Sequence, residues 1–321
     1  MINEHDQIIL LLTTHLPAES GREVKPLTNS EYGEIAYWLK QNQLQPGDLL
    51  EEKNIREIPA VASGKISLER IRRLLDRGLN LGLALEKWER SGIWVMTRSA
   101  EYYPARLKQH LGKLAPPVLF ASGNKELLKT KSIGVVGARD ASATDLVYTR
   151  ALGKKIAEEG FSVISGGARG VDEAAMLAAL EIDGTCIGVV ANNLLRFSLS
   201  GKYRSHIMNN NLLLMSPYQP EAGFNAGNAM GRNKYIYCLS EAVIVIRSDT
   251  SGGTWNGAVE NIKKKWVPLY VRQSSDPLSG NTKLIQQGAN PIPEDTPDSL
   301  IIADLPEKQN PQKEGVQQKL F

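Results

Sequence analysis

From residue 132 onward, the sequence alternates short, nearly unbroken apolar runs with segments of helical periodicity. The apolar runs are Ser132–Val136, Phe161–Ser165, Thr185–Val190, Leu212–Met215, Ala242–Ile246 and Val267–Val271. Such runs are typical of strands that are covered on both faces, as in a parallel sheet. Helices are expected from about Ser142 to Glu159, capped by Asp140 or Ser142, and from Val171 to Ile182. The sequence therefore predicts an α/β fold, a parallel sheet flanked by helices.

The segment that precedes this sheet has a different pattern. From Ile66 to Trp88, apolar residues recur three and four positions apart and Gly78 interrupts them, which predicts amphipathic helices. We expect a small N-terminal helical domain over residues 1–90, a connecting segment over 91–130 and the core over 131–275. The rest is rich in Pro, Gln and Asn, which predicts a C-terminal appendage over 276–304 and a flexible tail over 305–321.

Three of the predicted strands are followed by glycine-rich turns. The residues that these turns supply are Gly137, Arg139, Gly166, Gly167, Arg169, Gly170, Ser251, Gly252 and Gly253. The carboxyl ends of parallel strands meet at one edge of a sheet, where helix N-termini present unpaired N–H groups. Bare backbone lets those groups approach a phosphate, and a guanidinium fork fits phosphate oxygens. The turns therefore predict a shared anion site.

Other interpretations of the turns remain open. A Rossmann dinucleotide site would show GxGxxG, but the sequence reads GVVGAR, and Ser165 begins the stretch where an acidic residue would bind the ribose. The glycines could also serve tight turns alone. Arg139 and Arg169 could form salt bridges with Asp140 or Asp172 rather than bind a ligand.

Composition limits the remaining classes. The chain has 321 residues, of which 42% are hydrophobic and 23% charged, and its net charge is only +3. Bulk charge of this size does not indicate nucleic-acid binding, so an anionic partner requires a local basic patch. No apolar run approaches the roughly 20 residues of a membrane span.

Neither catalysis nor a cofactor is expected. The four histidines are scattered, and the sequence contains no HExxH, GxSxG or P-loop motif and no cluster of metal ligands. The N-terminus lacks the features of a secretory signal, and Cys186 and Cys238 are expected to be buried thiols in a reducing compartment. These features predict a non-enzymatic cytoplasmic protein.

An ordered series of motifs resembles the bacterial DNA-processing protein A (DprA, or Smf) family. The series is YYPARLK, PPVLFASGN, SIGVVGARDAS, VISGGARGVDEAA, GRNKYIYCLSEAVIVI, TSGGTWNGA and GNTKLIQQGA, from Tyr103 to about Ser299. The resemblance implies an extended Rossmann-like domain, preceded by a helical domain. It also implies a homodimer that binds single-stranded DNA and delivers the strand to a RecA-type recombinase.

The same resemblance implies which residues bind the strand. The positions that fall on the family's strand-binding motifs are Arg139, Gly166, Gly167, Arg169, Arg232 and Asn233. Lys202 aligns loosely with a basic position of the family. Phe197, Tyr203 and Phe224 could stack on bases or serve in packing. A positive groove of helix N-termini and arginines can follow a strand without reading its sequence.

Several motifs depart from the family pattern. Met176 stands where the family usually has His, NAMGRNK replaces FP.RNR, and SGGTWNGA replaces SGSL.TA. SGGTWNGAVE also differs from the PGGxGTxxE motif of nucleoside-monophosphate phosphoribohydrolases, because Glu260 lies one residue further along. An alternative function is therefore a Rossmann-like sensor of a nucleotide-derived ligand in immune signalling, since a site that binds DNA phosphate can also bind a nucleotide.

The last five residues, QQKLF, resemble the short peptide by which bacterial proteins dock on the replication sliding clamp. In that interpretation Leu320 and Phe321 are apolar anchors and Gln317 supplies polar contacts. The alternative is a solvated tail without a partner.

Overall fold

The computed structural model describes residues 2–16, 24–61 and 66–307, so the QQKLF peptide lies outside the described residues. The α-helices are α1 (Glu4–Thr13), α2 (Asn29–Gln41), α3 (Glu52–Ile55), α4 (Ile58–Val61), α5 (Leu68–Leu75), α6 (Gly78–Arg90), α7 (Ala105–Leu111), α8 (Ala143–Glu158), α9 (Val171–Leu180), α10 (Leu194–Leu199), α11 (Arg204–Met208), α12 (Ala226–Leu239), α13 (Gly252–Lys264) and α14 (Gly280–Gln286). The strands are β1 (Trp94–Thr97), β2 (Val118–Gly123), β3 (Ser132–Val136), β4 (Ser162–Ser165), β5 (Cys186–Val189), β6 (Leu212–Ser216), β7 (Ala242–Val245), β8 (Leu269–Arg272) and β9 (Asn290–Ile292).

Contacts group the described residues into two compact units. The first draws on Met1–Leu128 and Val189–Arg232, and the second on Lys129–Gly188 and Asn233–Phe321. This grouping differs from the sequence-based division at residues 90 and 130, because the first unit recruits a later part of the chain. The recruited strand β6 pairs with β2, which explains why the segment leaves the core that the sequence predicts.

The first unit combines helices with an antiparallel ladder. Strand β1 pairs with β2 and β2 pairs with β6, both antiparallel. Trp88 of α6 is 2% exposed, lies edge-on to Phe120 of β2 with 5.0 Å between the ring centroids, and donates from Nε1 to Glu221 over 3.0 Å. The aromatic pair and the satisfied indole N–H anchor α6 in this unit.

The second unit is built on parallel strands in the order β5-β4-β3-β7-β8-β9. Strands β3, β4, β5, β7 and β8 are buried along their whole length, as the unbroken apolar runs predict. The chain runs outward from β3 through β4 to β5 and then returns to the other side of β3 at β7. The order of strands therefore reverses between β3 and β7, which makes their carboxyl ends a topological switch point.

Most of the predicted core elements are confirmed within a residue or two. Ser142 rather than Asp140 caps α8, through a capping box with Asp145. Cys186 and Cys238 are buried, as expected. The antiparallel pairing of β6 differs from the expected parallel sheet, and the short strand β9 lies in the segment that was expected to form a C-terminal appendage. Among the described residues, no helix has the combined length and hydropathy that crossing a bilayer requires.

Candidate functional site

Three loops of the second unit lie at the switch point. They follow β4, β3 and β7, which are neighbours in that order and parallel. Because adjacent strands are about 4.8 Å apart, the two outer loops are separated by about 10 Å at their bases. The structure therefore brings together the three glycine-rich turns that the sequence predicts to share one edge.

Backbone hydrogen bonds connect the three loops to one another. The amide of Ala138, after β3, donates to the carbonyl oxygen of Arg247, after β7, over 3.0 Å. The amide of Val171, after β4, donates to the carbonyl oxygen of Ala138 over 3.3 Å. The loop after β3 is thus held from both sides, and a ligand that contacts one loop meets a site positioned by all three.

Close approach of these loops depends on two glycines. Gly170 has φ +93°, and a Cβ there would lie 2.6 Å from the carbonyl oxygen of Ala138 and 2.7 Å from that of Arg139. A Cβ at Gly137 would lie 2.6 Å from the Val171 side chain. At Gly170 both the conformation and the space exclude a side chain, because L-residues rarely adopt this φ. Glycine is therefore required where the first two loops meet.

The helices that leave the three loops begin differently. The N-terminus of α8 is closed by its own side chains, since Ser142 accepts from the amide of Asp145 and Asp145 accepts from that of Ser142. Within the described residues no side chain caps α9, which follows Gly170, or α13, which follows Ser251. In α9 the amides of Val171 and Glu173 already donate to the carbonyl oxygens of Ala138 and Ala168. The helix start that retains hydrogen-bonding capacity for an anion is therefore that of α13.

Arg139 and Arg169 supply positive charge next to these helix starts. Both are exposed, one in the loop after β3 and the other in the loop after β4. Among the described residues Arg169 forms no ion pair, so the salt bridge to Asp172 considered above is not formed. Asp172 itself is buried, 7% exposed, in the first turn of α9. An exposed guanidinium at this position is accessible to a phosphate in solution.

Asn233 of α12 fixes the start of α13. Its Nδ2 donates to the carbonyl oxygen of Gly253 over 3.0 Å. One turn further along each helix, Gly257 faces Tyr237, and a Cβ there would lie 3.1 Å from the tyrosine ring. Tyr237 is 1% exposed, and burial, followed by the charges of Asp172 and Glu260, raises the pKa of its hydroxyl. Asn233 therefore positions the helix start, while Tyr237 fills the space behind it.

Asp145 ties the same loops together on the side of β8. Its carboxylate accepts from Arg247 over 3.2 Å and from Arg272 over 2.8 Å. Burial works against ionisation of Asp145, but hydrogen bonds from Ser142 and Arg247 and the charge of Arg272 outweigh it and lower the pKa of the carboxyl. Sequence reasoning missed this network, since Asp145 and Arg272 are 127 positions apart.

The structure does not place every candidate residue in the second unit. Gly166 and Gly167 are buried at the end of β4, and Gly167 has φ +64°. Lys202 is exposed in the first unit, and Arg232 is also in the first unit but only 4% exposed.

Phe197 and Tyr203 stack on one another with 6.1 Å between ring centroids, and Phe224 is 62% exposed. Met176, at the family's usual His position, is fully buried.

The described residues offer no group of three or more His, Cys, Asp or Glu side chains arranged to bind a metal ion. The chemical capacity of the three loops is thus that of an anion site, built from backbone N–H groups and guanidinium groups.

Comparison with known proteins places the chain in a family. The sequence model of the DNA recombination-mediator protein A family matches residues 94–304. The chain belongs to the DprA family. It is 32% identical to the DNA processing protein DprA of Bacillus subtilis over 230 residues, which cover 70% of this chain and 75% of that protein. It is 30% identical to DprA of Streptococcus pneumoniae over 179 residues, which cover 54% of this chain and 63% of that protein.

Solved DprA structures share the fold. The crystal structure of Streptococcus pneumoniae DprA superposes with a TM-score of 0.72 at 23% identity, covering 92% of this chain and 96% of that one. DprA of Helicobacter pylori, whose structure was described for its single-stranded DNA binding mode, gives a TM-score of 0.53 at 24% identity over 62% of this chain and 90% of that one. The expected Rossmann-like fold of the DprA family is thus confirmed.

Proposed function

We propose that this DprA family member binds single-stranded DNA at the three loops that follow β3, β4 and β7. The observation that supports this most strongly is the start of α13, which no described side chain caps, with Arg139 and Arg169 exposed on the neighbouring loops. Membership in a family of DNA recombination mediators supplies the class of ligand.

The loops suit a nucleic-acid backbone better than a base-reading surface. Backbone N–H groups and guanidinium groups contact phosphate oxygens, and such contacts position a strand without specifying its sequence. About 10 Å between the outer loops, two strand spacings, leaves room for more than one phosphate. We therefore expect binding with little dependence on sequence and strong dependence on salt.

No catalytic step is included in this proposal. The role is that of a mediator, which protects the strand and delivers it to a recombinase during recombination, DNA uptake, repair or defence. A homodimer in the cytoplasm and a RecA-type recombinase as partner belong to the same proposal.

The C-terminal peptide extends the proposal to the replication sliding clamp. Gln317, Leu320 and Phe321 supply one polar and two apolar side chains in the order that a short docking peptide requires. Deletion of residues 317–321 should abolish clamp binding in a pull-down with purified clamp. Replacement of Lys319 by Ala in the same peptide is the matched control and should retain it, whereas clamp binding by the deleted chain would remove this part of the proposal.

An oligonucleotide length series tests strand binding against the nucleotide-sensor alternative. A strand groove predicts that affinity rises with length over several nucleotides and that a free mononucleotide competes poorly. Affinity that is already maximal with a mononucleotide, and no gain with length, would favour the sensor and contradict the proposal.

A further inference from the structure

A polar cavity of about 530 Å³ lies within the second unit, beside the loops described above. It is bounded by the start of α8, the loop after β7, the loop after β8 and the start of α14. Its volume is within the range of roughly 300–1,000 Å³ that is usual for small-molecule sites. The loop after β7 contributes Ser248, Asp249 and Thr250 to its lining, but none of the glycines of the three turns lines it.

The walls of this cavity are held rigidly. Asn281 donates from Nδ2 to the carbonyl oxygens of Ile246, over 2.8 Å, and Arg272, over 2.7 Å. Its Oδ1 accepts from the amide of Ser248 over 2.8 Å. A single 5% exposed side chain therefore joins the loops after β7 and β8 at their bases. A site with preformed walls loses little conformational entropy when a ligand enters.

The two arginines that line the cavity have different roles. Arg272 is 7% exposed, two of its donors are engaged with Asp145 and with the carbonyl oxygen of Glu294, and its guanidinium lies over the Tyr148 ring, 4.3 Å from the centroid. The side chain of Arg247 is 42% exposed and, among the described residues, uses one donor, to Asp145. A guanidinium carries five N–H donors. Arg247 therefore retains donors for a ligand while its position stays fixed by Asp145.

The rest of the lining adds acceptors and an apolar surface. Asp249 and Asp276 are exposed at the cavity, Gln273 presents an exposed amide, and Leu278 is 73% exposed at its rim. With Asp145 and Glu294, the carboxylates outnumber the two guanidinium groups. Because the carboxylates repel a phosphate, this lining disfavours an isolated phosphate. It suits a neutral ligand that has both hydrogen-bond donors and acceptors.

We propose that the cavity binds the nucleoside part of one nucleotide, with guanine preferred. Arg247 donates to the O6 and N7 acceptors of the base, a pairing for which the guanidinium fork is suited. Asp249 accepts from the N–H groups on the other hydrogen-bonding edge of the base, and Leu278 covers the face of the ring. The phosphate stays outside, away from the carboxylates. The nucleotide comes either from the bound strand or from a free pool.

Calorimetric titration of the full chain with guanosine tests the free source. We expect saturable binding, at least tenfold weaker for thymidine, which lacks the matching donors and acceptors. Arg247→Met removes the donors but keeps the aliphatic stem, and it should weaken guanosine binding at least tenfold. Gln273→Trp fills the cavity from an exposed position without touching the ion pairs, and it should abolish binding. Lys264→Met, at the far end of α13, is the matched control.

Photocross-linking with an oligonucleotide that carries 6-thioguanine tests the strand source. We expect the label in the tryptic peptide Gln273–Lys283, which contains cavity residues but none of the three turns, and its loss in Gln273→Trp. A positive result in either assay supports the cavity and identifies the source. The proposal is overturned if folded wild type neither binds guanosine nor cross-links in this peptide. It is also overturned if Arg139→Glu abolishes guanosine binding while Arg247→Met retains it. Neither result bears on strand binding at the three loops, which the length series measures separately.

Discussion

Asn233 donates a hydrogen bond from its side-chain amide to the carbonyl oxygen of Gly253, 3.0 Å away, and so joins α12 to the first turn of α13. The two residues are 20 positions apart. Gly253 lies in the glycine-rich turn whose N–H groups we assign to the strand. The side-chain amide of Asn233 therefore acts by positioning this turn, because it contacts backbone rather than solvent.

Asn233→Ala should therefore weaken strand binding more than it weakens the fold. Loss of one hydrogen bond costs about 0.5–1.5 kcal/mol of unfolding free energy. Urea unfolding and oligonucleotide binding measure the two effects, with Asn209→Ala, an exposed asparagine of the first unit, as the control. Unchanged affinity in Asn233→Ala would show that the turn keeps its position without this contact.

Gly170→Ala should destabilise the protein by two separable effects. The residue has φ +93°, and its Cβ would meet the carbonyl oxygens of Ala138 and Arg139. Gly160→Ala is the matched control, because Gly160 has φ +80° but nothing within 4 Å of the added Cβ. Strain at either φ costs on the order of 1–3 kcal/mol. We expect a clearly larger loss of thermal stability for Gly170→Ala, and equal losses would contradict the close contact between the loops.

Asp145→Asn should lower stability at neutral pH by about 1–3 kcal/mol, because two guanidinium groups lose a charged acceptor. The pKa of Asp145 is lower in the folded protein than in the unfolded chain, where it is about 3.9. The stabilisation of the fold by ionised Asp145 is thus fully present above about pH 4 and is lost as pH falls through the folded pKa. Urea unfolding at pH 6 and at pH 3 should show a difference between the wild type and Asp145→Asn that shrinks in acid. A difference that is constant with pH would contradict the ionised network.

Arg232→Glu should unfold the protein rather than selectively remove strand binding. Arg232 is 4% exposed. Reversal of a buried charge leaves that charge without a compensating partner, which lowers the free energy of unfolding by several kcal/mol. Arg139 is exposed, so Arg139→Glu should leave the melting temperature nearly unchanged. Differential scanning calorimetry of the two variants compares them directly, and equal melting temperatures would show that Arg232 tolerates the reversal.

The strands and glycine turns of the second unit could be predicted from sequence because their signals are local. An unbroken apolar run such as Ser132–Val136 identifies a buried strand, and glycines directly after it identify a turn. The start of α8 was also readable, since Ser142 and Asp145 form a capping box within four residues.

The remaining features depend on contacts between distant parts of the chain. Leu212–Ser216 has the composition of a parallel strand, but its antiparallel partner β2 is set by tertiary structure. The contacts of Asp145 with Arg247 and Arg272 span 102 and 127 positions, and no local pattern encodes them. Arg232, in the sequence GRNK, has the pattern of an exposed basic motif, yet its place on α12 buries it.

Equilibrium binding of a fluorescent single-stranded oligonucleotide across a salt series tests the central claim most directly. Wild type should lose affinity steeply with salt, with a slope of roughly −0.7 per phosphate contact in a plot of log affinity against log salt. Arg139→Glu should bind more weakly and with a shallower slope. Lys264→Glu makes the same change of charge at the opposite end of α13, about 20 Å from the turns, and should behave like wild type. Equal binding by folded Arg139→Glu and Lys264→Glu at every salt concentration would contradict the assignment of the strand to these loops.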